Sequence, residues 1–157
     1  MEERGWAFRL LGDMEAYARD SQEVARLAAL LGDGATLAKL RRREAYTHRW
    51  FCRYGEARVA AEACVRLCQA SGDRHTEALC RREVGMAARE TGDAEAARAA
   101  LEEALRLFTE LGEIVYEIHT LGNLSTLCCS AGDAPQALEI ARLALARSVH
   151  ARRRPAT

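Results

Sequence analysis

Apolar residues recur at helical spacing along this chain, in runs of about 17 residues that each stop at a glycine. Between Gly92 and Gly112, Ala97, Leu101, Ala104, Leu105 and Phe108 fall on one stripe, the pattern of a helix that buries one face. Stepping by 20 residues from Gly12 reaches Gly12, Gly32, Cys52, Gly72, Gly92, Gly112 and Gly132, so six of seven slots hold glycine. Five of those glycines precede aspartate (Asp13, Asp33, Asp73, Asp93 and Asp133), and Gly112 precedes Glu113. A self-similar period of this kind decides architecture before any local motif does.

The chemistry of the slot explains the punctuation. Glycine just past a helix end adopts the left-handed backbone without steric cost. The acid that follows can accept hydrogen bonds from the free N–H groups of the next helix. Each Gly-Asp therefore closes one helix and opens another, and loops this short force neighbours into antiparallel hairpins. The expected helices are 1–11, 14–31, 34–51, 54–71, 74–91, 94–111, 114–131 and 134–149. Alternate loops differ in their flanking residues, so the true period is 40 residues. The loops at 12, 52, 92 and 132 lie within hairpins, while Gly32, Gly72 and Gly112 separate one hairpin from the next. Pro135 then falls in a first helical turn, where its missing N–H matters little.

Composition sharpens this picture without changing it. The chain is 49% hydrophobic, much of it alanine, and has only two prolines, as expected of a helical protein. Formal net charge is zero, which gives no bulk argument for nucleic acid or an acidic membrane as partner. No run reaches the roughly 18 apolar residues of a membrane span, and the acidic N-terminus lacks the apolar core of a secretory signal. A cytoplasmic protein is the expectation, with its six cysteines as free thiols. Cys64 occupies a slot that later repeats fill with alanine, and Cys128 one held elsewhere by Phe8 and Ala88. The cysteines therefore read as small buried hydrophobes, with a zinc or redox site from Cys64, Cys68 and Cys80 as the alternative. No phosphate-binding loop, zinc-protease helix or nucleophile elbow is present. His48, the most enclosed of four scattered histidines, is expected to be half-buried and satisfied. Neither an enzyme nor any cofactor or metal is expected.

With these marks in place, the sequence resembles a tetratricopeptide (TPR) array of 40-residue period over roughly residues 1–148. Seven residues before each intra-hairpin slot stand Gly5, Ala45, Gly85 and Ser125, all small, where the family's two helices approach closely. Five after it stand Tyr17, Ala57, Ala97 and Ala137. Tyr17, Val24, Glu44 and Cys52 depart from the family pattern. The resemblance implies an all-α, right-handed superhelix (α-solenoid) of antiparallel helix hairpins, about 3.5 repeats, over residues 1–150. The repeats would run approximately 1–32, 33–72, 73–112 and 113–150, with 151–157 a basic disordered tail. No polar capping helix closes the array, so its ends are expected either to continue into a longer chain or to be covered in a homodimer.

In such a superhelix the first helix of each hairpin lines a concave groove. The resemblance places Arg9, Arg49, Arg89 and then Cys129 there, three residues before each slot, with Trp6, Tyr46, Met86 and Thr126 at six before. Glu3, Arg43, Glu83 and Asn123 follow at nine before, Arg42 and Arg82 at ten before, and Lys39 and Trp50 flank the same face. An arginine ladder interleaved with aromatics suits carboxylates and apolar anchors. Asn123, within Leu121-Gly122-Asn123-Leu124, matches an asparagine that TPR domains use to hold a peptide backbone. The implied function is a scaffold-like, protein-binding module that takes an acidic peptide through Arg9, Lys39, Arg42, Arg43, Tyr46, Arg49, Trp50, Arg82, Met86, Arg89 and Asn123. Glu3, Glu83 and Glu90 argue against nucleic acid, and with Glu44 they also allow the arginines to be ordinary solvated faces. The alternative function is an effector-sensing region of a larger transcriptional regulator or signalling ATPase.

Overall fold

The computed structural model describes residues 14–153. The expected helix over 1–11, with Trp6 and Arg9, and residues 154–157 lie outside them. Seven helices follow one another: α1 Met14–Leu30, α2 Gly34–Trp50, α3 Tyr54–Ser71, α4 Arg74–Glu90, α5 Ala94–Leu111, α6 Ile114–Ser130 and α7 Ala134–Arg153. No strand occurs among the described residues.

The slots behave as their chemistry demands. Gly32, Gly72, Gly92, Gly112 and Gly132 all take φ between 67° and 81°, and the next residue donates its N–H to the carbonyl five positions back, as Asp93 does to Ala88 at 2.9 Å. This is the Schellman closure that satisfies a helix's last carbonyls. Asp33, Asp73, Asp93 and Asp133 then accept from the backbone N–H three residues on, at 2.9 to 3.1 Å. The loop after α2 keeps this shape with the wrong residues. Cys52 adopts φ 57°, and Arg53 at the N-cap of α3 offers no side-chain cap. Glu113 likewise leaves α6 uncapped.

The small residues seven before each slot mark the hairpin crossings. Ala45 is fully buried, Ser125 Oγ donates to the Ala137 carbonyl at 2.9 Å, and Gly85 is packed so tightly that a Cβ would stand 2.6 Å from Leu101 Cγ. Each hairpin packs on the next, and its first helix touches the first helix of its neighbour, whereas the second helices do not touch one another. The first helices α2, α4 and α6 therefore form the inner wall of an α-solenoid, with α3, α5 and α7 outside. Phe108, stacked on Tyr116 at 5.1 Å, and Leu101, Leu124 and Leu127 fill the core between α5 and its neighbours.

Two expectations change. Helix α7 runs to Arg153 rather than 149, because Ala151, Arg152 and Arg153 are good helix formers and nothing discourages the α region until the residue before Pro155. The expectation of six free thiols fails for one pair: Cys64 and Cys80 form a disulfide with Cα atoms 6.2 Å apart, inside the range a bridge requires. Cys52, Cys68, Cys128 and Cys129 remain thiols, and burial first, then Asp73 and Glu77, pushes the Cys68 thiol up to about 11.

Candidate functional site

On the inner wall, Arg49 and Arg82 lie beside the carboxylate of Glu83, with Arg42 nearby. Arg49 Nε of α2 donates to Glu83 Oε2 of α4 at 2.7 Å, and Glu83 is buried. The Arg49 guanidinium also lies 5.4 Å from the centre of the Tyr46 ring, which stacks on Trp50 at 6.4 Å. Arg82, one residue before Glu83, places its guanidinium 5.5 Å over Tyr116 of α6. Its Nε is buried without a hydrogen-bond partner. Burial pulls the Arg82 guanidinium below its ordinary range, and nearby Arg49 and Arg42 add to this while Glu83 and Tyr116 oppose it. Cation–π contact and a low-dielectric setting of this kind favour an incoming anion.

The rest of the expected ladder is only partly gathered in. Arg42 and Lys39 are exposed, and Arg43, Met86 and Asn123 are half-buried. Arg89 Nε and Nη2 donate to its neighbour Glu90 at 3.0 and 2.5 Å, so this rung is locally neutralised. Cys129 is exposed. Tyr116 lies outside the expected groove set, and Glu83 falls within it but in a role that spacing does not give. Tyr116 replaces the threonines of sister helices, Thr36 and Thr76, and that substitution was the available signal. Glu83 was noted as a charge, but its role as the tie between α2 and α4 depends on helix rotation that spacing leaves open.

Other polar groups hold the scaffold. Buried Glu77 accepts from Arg81 at 2.7 Å and from Gln69 at 3.2 Å, and buried Glu117 lies 3.7 Å from Arg147. His48 is half-buried as expected, but its Nδ1 has no hydrogen-bond partner; it lines an outer concavity with Arg41, Glu44 and Val59. No group of metal-ligating side chains is assembled among the described residues, and no described helix is long and apolar enough to cross a membrane.

Residues 83–148, from the middle of α4 to the last turns of α7, match the family described as Tetratricopeptide repeat. These residues carry tetratricopeptide repeats. The TPR match covers the hairpin α6–α7 and most of α4–α5, and α2–α3 repeats the same loop and crossing geometry two periods upstream of α6–α7. A TPR array is typically a non-catalytic protein-interaction module, and the inner wall of this one holds the basic cluster. No curated protein matches the chain.

Proposed function

We propose that this TPR array is a protein-interaction module that takes an acidic segment of a partner along the wall formed by α2, α4 and α6. The observation that carries it is Arg82, whose buried Nε has no hydrogen-bond partner and whose charge is opposed by nearby Arg49 and Arg42. Arg42 and Arg82 would pair with side-chain carboxylates of the ligand, Met86 would take an apolar side chain, and Asn123 would hold its backbone. Rim cations of this sort set encounter rate and salt dependence more than final affinity.

Fluorescence anisotropy of labelled poly-L-glutamate tests the reading. Wild type should bind it at about 50 mM salt and lose most of that binding at about 200 mM. The double variant Arg42→Glu, Arg49→Glu should bind at least about tenfold more weakly, since each reversal replaces attraction with repulsion of similar size. Equal binding by wild type and variant, with helicity unchanged, would reduce the arginines to solvated decoration. The regulatory alternative places a small effector in the same cluster. Displacement of polyglutamate by millimolar inorganic phosphate would favour it.

A further inference from the structure

The hairpin loop 51–53 departs from its sister loops at every position. Where the later hairpins read Thr91-Gly92-Asp93 and Ala131-Gly132-Asp133, this one reads Phe51-Cys52-Arg53. The left-handed slot is held by a residue with a side chain, at φ 57°, and the capping aspartate is replaced by a cation that caps nothing. The turn before it is changed too, since Trp50 stands where Glu90 and Ser130 stand in the sister helices. The changes at Cys52 and Arg53 are locally unfavourable for folding, and the turn exposes a shelf of rings: Tyr46 is 41%, Phe51 46% and Trp50 70% exposed. The shelf is arranged, since Tyr46 and Trp50 stack at 6.4 Å and Arg53 sits 5.9 Å from the centre of the Phe51 ring. Arg53 has no carboxylate partner among the described residues, unlike Arg49 and Arg89 beside it.

Local rules broken together on one exposed turn are a mark of function. We infer that the shelf of Trp50, Phe51 and Arg53 is a specificity subsite at the end of the groove, fitted to an acidic segment that carries an aromatic side chain. The flat apolar faces supply the aromatic contact. Arg53, a cation without a counter-ion at the rim, supplies complementarity to a neighbouring acid. The inference rests on the groove reading and adds to it a choice among acidic ligands, which the arginine ladder alone does not make.

Two defined polymers test it: poly-L-glutamate and the random copolymer of glutamate and tyrosine in a ratio of about four to one. One aromatic contact corresponds to roughly three- to tenfold in affinity, so wild type should prefer the copolymer by at least that factor. Replacing Trp50→Ala and Phe51→Thr, both at exposed positions, should bring the two polymers to parity with helicity unchanged. If wild type binds both polymers equally, or if the variant keeps the preference, the subsite is refuted and the groove reading stands. If wild type binds neither, both fall.

Discussion

At the scale of single residues, Cys52 and Gly85 pull in opposite directions. Cys52 occupies a backbone region that disfavours any side chain by about 1–2 kcal/mol, so Cys52→Gly should stabilise the protein by about 1 kcal/mol, and Arg53→Asp should add about 1 kcal/mol through a restored N-cap. Thermal unfolding should show both as upward shifts in midpoint. Gly85→Ala should do the reverse. Its Cβ would meet Leu101 Cγ at 2.6 Å and the Ala97 carbonyl oxygen at 3.1 Å, and overpacking of that kind destabilises by about 1–3 kcal/mol. The small residue at 85 was legible from the period alone, because three sister positions are also small. The positive φ at Cys52 was legible only as a broken beat: the slot had to turn, but the residue gave no reason to.

At the scale of elements, the caps connect loop chemistry to pH. Asp33, Asp73 and Asp93 all have their carboxyls held below the ordinary aspartate range: Asp33 first by the Thr36 hydroxyl, Asp73 first by the Thr76 backbone N–H, and Asp93 first by Arg58. A depressed folded-state value means that the caps contribute fully above the unfolded aspartate pKa of about 3.9. That contribution is lost as pH falls through the lower folded-state values. Stability followed by circular dichroism should therefore be flat in these groups above about pH 5 and fall on further acidification. A triple Asp→Asn variant should flatten the part of that slope that belongs to these groups. All seven described helix starts are readable to the residue, because glycine and an acid punctuate them or their sister loops. The end of α7 was not, since an alanine–arginine run carries no stop signal before proline.

At the scale of the whole molecule, two ties across hairpin boundaries matter most, and neither could be read from spacing. Cys64 and Cys80 lie on helices of different hairpins, and whether their side chains meet depends on how α3 and α4 rotate against each other. Titration of the denatured protein with a thiol reagent should find four thiols before reduction and six after. Replacing both bridged cysteines by alanine should lower stability by about 3 kcal/mol, the amount for a closed loop of this size. The second tie is Glu83, which holds Arg49 at 2.7 Å. Glu83→Ala should destabilise the fold by leaving half-buried cations unpaired, yet tighten polyglutamate binding by removing the cluster's own carboxylate. Opposite signs in unfolding and in anisotropy would separate scaffold from site at one position.

The bridge has a mechanical corollary. Solenoids are chains of nearest-neighbour contacts, and an axial load would ordinarily part them at any hairpin junction. Here the junction between α3 and α4 is riveted, so a molecule stretched by its ends should part first at an unbridged junction and keep α3 and α4 joined to the last. The 16-residue separation of the cysteines would stay hidden from the extension. Adding a reductant under load should then release a further step of about 5 nm, the reach of that many residues drawn taut.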